Sequence, residues 1–152
     1  MLVLAFLILL SAATGCTGVT PRTDTSPANQ SLAESTNSSV QKIEVYHFHG
    51  NKQCASCIAV GDLAEKTLQE NFRNELGSGR IVFAHVNYDL PNNTLLKEKY
   101  GVSGSSLWIG VYGGNRFSKE QDLRVWSLIN DEDQYSAYLT AVISKRLNGD
   151  LS

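Results

Sequence analysis

The chain has no excess of basic charge. Its 13 Lys and Arg stand against 15 Asp and Glu, for a net charge of −2. A surface that tracks phosphates needs clustered positive charge, so nucleic acid is not an expected partner. No apolar run reaches the roughly 20 residues that a bilayer-spanning helix needs; Leu2 to Leu10 is too short. Proline is scarce, and only Pro91 falls outside the N-terminal third. Cysteine is limited to three residues. Two of them, Cys54 and Cys57, form a C-x-x-C pair, and Cys16 stands in a different context. The odd count therefore need not leave an unpaired structural thiol. No internal repeat is present. What remains is ordinary: 42% hydrophobic and 18% charged residues over 152 positions, enough for one soluble-type domain plus extras.

The N-terminal run Leu2–Leu10 leads through Ser11-Ala12-Ala13-Thr14-Gly15 to Cys16. Its length fits the h-region of an export signal. Small residues ending at a cysteine match a prokaryotic lipoprotein cleavage site, where the cysteine becomes the new N-terminus and carries lipid. Two features depart from that pattern: Ala13 stands where such sites prefer Leu, and no Lys or Arg precedes the run. The expectation is a lipoprotein-type signal over 1–15 and lipid on Cys16, with the protein anchored on the outer face of the cytoplasmic membrane. Ordinary cleavage with secretion and an uncleaved anchor are the alternatives. Thr17 to Val40 is rich in Thr and Ser and almost free of large apolar residues. Such a segment cannot bury enough surface to fold, so 16–40 reads as a disordered tether. Asn29, Asn37 and Asn92 lie in N-x-S/T triplets, which are common by chance.

The folded part is expected over 41–148, with a short tail at 149–152. Ile43–Phe48 alternates and is rich in β-formers, which predicts a strand. Apolar residues from Ile58 to Leu76 recur at three- and four-residue steps and predict one helix over Ala55–Leu76, ended by Gly77-Ser78-Gly79. Arg80–Tyr88 reads as a second strand, apolar enough to be buried on both faces. A short helix follows from Pro91 to Tyr100, closed by Gly101. Leu107–Tyr112 predicts a third strand, and Gly113-Gly114-Asn115 a hairpin turn into a brief fourth, Arg116–Phe117. Ser118-x-x-Gln121 has the form of a capping box. It predicts a helix over Lys119–Ile129 with Leu123, Trp126 and Ile129 inward; a strand over Leu123–Leu128 is the alternative. A last helix runs from Asn130-Asp131 to Leu147 with Tyr135, Leu139 and Ile143 on its apolar face. The order β-α-β-α-β-β-α predicts an α/β, thioredoxin-like fold: a four-stranded mixed sheet flanked by helices, its first two strands parallel.

The C-x-x-C falls between the first strand and the first helix. A helix N-terminus carries unpaired N–H groups and about half a positive charge, and both favour a thiolate. Cys54 is the expected nucleophile, and Cys57, more shielded, its resolving partner. This placement is a redox signal. The rival is a metal site: His47, His49, Cys54 and Cys57 are four soft or borderline ligands within eleven positions, a set suited to zinc or copper. The redox reading needs only the two sulfurs, with the imidazoles tuning at most. It takes no cofactor. Its partners are protein thiols and disulfides and a redox protein that recycles the pair.

Val45–Lys66, with His-Gly-Asn-Lys-Gln-Cys-Ala-Ser-Cys-Ile-Ala at its centre, resembles a family of small exported prokaryotic thioredoxin-like proteins. That family is called the nitrophenyl compound nitroreductase subunit ArsF family. Ile81–Asp89, Ser106–Trp108 and Val125–Ile129 resemble it too. The likeness implies a thioredoxin-like fold, a redox C-x-x-C and, from the family's name, a role beside a nitroreductase. Against the wider thioredoxin pattern, three positions differ. Ser106 stands where thioredoxins have a cis-proline, and a cis bond there would cost about 3 kcal/mol, so it is expected trans. Phe48 stands where a buried carboxylate would deprotonate the second cysteine. His47 or His49 are the substitutes at hand, although each also has a packing reading. Gln53 replaces a tryptophan before the first cysteine. Ala55-Ser56 contains no histidine, which argues for a potential at the reducing end of the range. Lys52, His49 and Ser106 are the candidates for tuning the pair. His85 reads as a core or sheet-face histidine.

Overall fold

The computed structural model describes residues 40–152. The expected signal, Cys16 and nearly all of the tether lie outside the described residues. Strand β1 (Val40–His49) is central, with Ile43 to Phe48 all buried, as expected of a strand covered on both faces. It begins earlier than the β-forming pattern indicates: Val40, expected to end the tether, already pairs with Gly113. Strand β2 (Ile81–Asn87) runs parallel to it in the register Ile43↔Ile81 to His49↔Asn87. Strand β3 (Ser106–Gly113) lies antiparallel on the other side, and β4 (Arg116–Asp122) antiparallel to β3. The order is β2-β1-β3-β4: a four-stranded mixed sheet in a thioredoxin-like α/β fold.

Side chains alternate across β1, so its two faces carry different cores. Ile43 and Val45 pack with Val60, Ala64 and Leu68 of helix α1 (Ala55–Asn71) and with Leu139 and Ile143 of helix α4 (Glu132–Leu147). Each fully buried aliphatic side chain contributes about 2 kcal/mol, and these positions are 0% exposed. The Tyr135 hydroxyl then ties the helices together by donating to the Val60 carbonyl at 2.7 Å. On the opposite face Tyr46, Phe48 and Val86 pack with Tyr100 of helix α3 (Thr94–Tyr100) and with Val102. Glu44 is buried on that face and accepts hydrogen bonds from Lys42, Lys99, Tyr100 and Tyr112. Burial opposes its ionisation, but the four donors outweigh that and hold the carboxyl at about 2.

Three expectations are corrected. The helix foreseen over Ala55–Leu76 breaks at Phe72, whose backbone (φ −132°, ψ 35°) leaves the helical region while its ring is buried in the core; a short helix α2 (Arg73–Gly77) follows. The fourth strand does not stop at Phe117 but runs to Asp122. The helix foreseen over Lys119–Ile129 is absent: Ser118–Asp122 pair with Leu107–Val111, and a single 3-10 turn, Arg124–Ser127, is all that follows. The alternative strand over Leu123–Leu128 is absent as well. A capping box satisfies one or two donors, whereas the ladder satisfies a whole strand. In consequence Leu123, expected inward, is 68% exposed, and Val125 is buried in its place. The α4 start stands as expected, with Asp131 as N-cap accepting from the Gln134 amide at 3.0 Å. Gly101 closes α3 with φ +72°, a conformation that costs other residues strain.

Candidate active site

The end of β1 delivers the chain to α1 through Gly50–Gln53. That loop is fastened to the end of β2: the Asn51 amide donates to Asp89 at 2.8 Å, and the Asn87 side chain donates to that of Asn51 at 2.9 Å. Cys54 is the N-cap of α1, with extended backbone (φ −81°, ψ 162°), and its Sγ accepts the Cys57 N–H at 3.1 Å. The first turn of α1 contains no acidic residue to offset the helix dipole. Cys54 is exposed and Cys57 half-buried. Their sulfurs are joined as a disulfide, with the Cα atoms 5.0 Å apart. An N-cap sulfur that already holds an amide hydrogen bond keeps that donor when it becomes a thiolate. Lys52 is exposed in the loop and takes part in none of the ion pairs among the described residues.

All three histidines of the chain gather on the α1 side of the sheet. His47 is 1% exposed. Its ring stacks on His49, with centroids 5.6 Å apart, and meets His85 edge-on at 5.1 Å. The parallel register puts His47 directly beside His85, and the two Nδ1 atoms are 2.9 Å apart. His85 Nε2 in turn lies 3.2 Å from the Glu65 carboxylate on the exposed side of α1. His49 is engaged locally, with Nδ1 3.0 Å from the Gly50 carbonyl. Burial first, then the neighbouring His85 and His49, pushes the His47 pKa down to about 4. Room for its ring comes from Gly61: a Cβ added there would lie 2.6 Å from His47 Cε1.

The remaining candidates are placed as follows. Phe48 points away from α1, into the aromatic cluster with Tyr46 and Tyr100. Ser106 is buried, and its hydroxyl donates to the Gly104 carbonyl and accepts from the Trp108 indole. Its peptide bond is trans, as are all those among the described residues. His47, His49, Cys54 and Cys57 do not form one ligand set: no group of three or more His, Cys, Asp or Glu among the described residues is placed to hold a metal ion. The imidazoles turn to one another and to Glu65 instead. His85 and Glu65 were missed as site residues. Each looks unremarkable in its own stretch, one as a sheet-face residue and one as part of a solvated helix face. Only the β1–β2 register could have joined them.

Among the described residues no helix is long and apolar enough to cross a membrane. Comparison of the sequence with models of known protein families finds no match, and comparison with curated proteins finds none either.

Proposed function

We propose that this chain is a thiol–disulfide oxidoreductase working on the reducing side, tethered outside the cytoplasmic membrane by lipid on Cys16. The observation that carries the chemistry is the exposed Cys54 sulfur at the N-cap of α1, already accepting the Cys57 N–H at 3.1 Å. The reduced pair presents Cys54 as a thiolate. It attacks a substrate disulfide, one substrate thiolate leaves, and a mixed disulfide forms. Cys57 then attacks Cys54 Sγ, the second substrate thiolate leaves, and the electron pair has passed from the dithiol to the substrate. Ile58, 44% exposed beside Cys57, gives a substrate apolar surface to lie on. The tether rests on the apolar run ending at Ala13-Thr14-Gly15-Cys16.

The test is a redox titration of the protein with free thiols trapped by alkylation, followed by rate measurements on the reduced form. Cys54 is expected to react with iodoacetamide far faster than Cys57 at pH 7, because only Cys54 combines the helix end with solvent access. A Cys57→Ser variant is expected to accumulate mixed disulfides through Cys54. Equal alkylation rates at the two positions would remove the basis for the assignment.

A further inference from the structure

The loop that presents Cys54 is pinned at Asn51. A closed ring of three hydrogen bonds joins that residue to the end of β2. The Asn51 amide donates to Asp89 Oδ2 at 2.8 Å, the Asp89 amide donates to Asn87 Oδ1 at 3.0 Å, and Asn87 Nδ2 donates to Asn51 Oδ1 at 2.9 Å. The far side of the ring is itself fixed: the Tyr88 amide donates to the His49 carbonyl at 2.9 Å, and Asn93 Nδ2 donates to the Asn87 carbonyl at 2.9 Å. Gly50 lets the two segments approach, since a Cβ added there would lie 3.0 Å from both Asp89 Oδ2 and the Tyr88 hydroxyl. Lys52 and Gln53 stand between the ring and Cys54. Both are exposed, and neither makes a hydrogen bond among the described residues.

The structure holds the oxidised pair, and the ring is intact in it. Reduction adds two electrons and one proton, breaks the S–S bond, and gives a Cys54 thiolate and a Cys57 thiol. Cys54 is then free to leave Cys57. Any reduced conformer in which the loop swings out breaks the ring and forfeits its hydrogen bonds, whereas the oxidised form forfeits none. Resting on the oxidoreductase reading, we infer that the ring of Asn51, Asn87 and Asp89 makes the pair a stronger reductant, by keeping the two reduced sulfurs within closing distance of each other. Proximity of this kind raises the effective concentration of one reacting group at the other. It favours the disulfide and speeds the step in which Cys57 attacks Cys54 Sγ and the substrate thiolate leaves with the electron pair. The three are positioning residues that act through the loop; only the two sulfurs exchange electrons with the substrate. The helix end works the other way, since its positive pole steadies the thiolate and so favours the reduced form. The ring opposes that pull.

The test is the redox equilibrium of the full chain carrying Cys16→Ser, so that only the pair reports. It is set in graded buffers of reduced and oxidised glutathione, and of dithiothreitol, and read by alkylation of free thiols. In the first, two glutathione thiols reduce the pair and leave as one glutathione disulfide. A net hydrogen bond shifts an equilibrium by roughly two- to tenfold. Asp89→Ala, at an exposed position, is expected to favour the reduced pair by about fivefold, a rise in potential of about 20 mV. Asn87→Ala, which changes no charge, is expected to move the same way. Asp89→Asn keeps an oxygen for the Asn51 amide and is expected to stay within about twofold of the wild type. A ring that only supported the fold would weaken both redox forms alike and leave the potential where it is. Unmoved or lowered potentials in Asp89→Ala and Asn87→Ala overturn the inference and leave the oxidoreductase standing. So does a shift in Asp89→Asn as large as that in Asp89→Ala, which assigns the effect to the carboxylate's charge. A wild-type pair that no buffer reduces reversibly overturns both readings.

Discussion

A neutral histidine sealed under a helix makes this protein sensitive to acid. The unfolded chain protonates His47 near 6.5, and the folded chain only near 4. Between those values the unfolded state holds more protons, so stability rises with pH across that window and falls as pH drops through it. The full difference is on the order of 3 kcal/mol. Urea unfolding followed from pH 7 to pH 4 is expected to show that loss, and His47→Gln to flatten the slope, whatever its effect at pH 7. A slope unaltered by the substitution would place the acid sensitivity elsewhere. Glu44 acts lower: its stabilisation is present above about 4.5 and is lost as pH falls toward 2. Gly61 offers a second measurement. Alanine in a helix interior ordinarily gains about 1 kcal/mol over glycine. Here Gly61→Ala is expected to lose about 1–3 kcal/mol by overlap with the His47 ring, and to become neutral or stabilising in a His47→Ala background. A Gly61→Ala variant more stable than the wild type would contradict the packing. At this scale the cysteines were legible, because their spacing and their place after a strand are local facts. The direction of His47 was legible in part, since it shares a face with Ile43 and Val45. Its partnership with His85 was not, because a register between distant strands leaves no mark in either local stretch.

Elements with an apolar face or an apolar run were readable, whereas of β4 only the start, Arg116–Phe117, was. The helices α1 and α4 announce themselves by apolar steps, and β1 to β3 by runs of β-formers. In β4, Arg116–Gln121 face solvent or are only half-covered, and Asp122 alone is buried, so no alternation exists to be read. Its polar residues suit a sheet edge, where charge discourages pairing with another chain, and the same residues imitate a helix start. The break at Phe72 was hidden for a similar reason, since its ring fits the helical pattern while its backbone does not. The joint between α1 and α4 gives a test at this scale. Tyr135→Phe removes the hydroxyl that donates to Val60 and keeps the ring's packing. Denaturant unfolding is expected to register a loss of about 1 kcal/mol. A variant as stable as the wild type would show that core packing alone holds the two helices.

For the molecule as a whole, the order of elements gave the layered sheet directly, because short right-handed connections leave few ways to assemble β-α-β-α-β-β-α. The proposed anchoring rests on the sequence before Val40 alone. Cys16→Ser is expected to move the protein from the membrane fraction to the soluble one on fractionation of cells. Retention on membranes after a detergent-free wash would count against lipid on that residue. The close seat of the His47 ring on Gly61 reaches beyond this single chain. Neither residue can drift alone: a side chain at position 61 evicts the imidazole, and without the imidazole the bare turn has no occupant to justify its cost in helix propensity. The two positions are therefore expected to change only together: with the histidine gone, position 61 is free to take alanine, and with it in place position 61 is held to glycine.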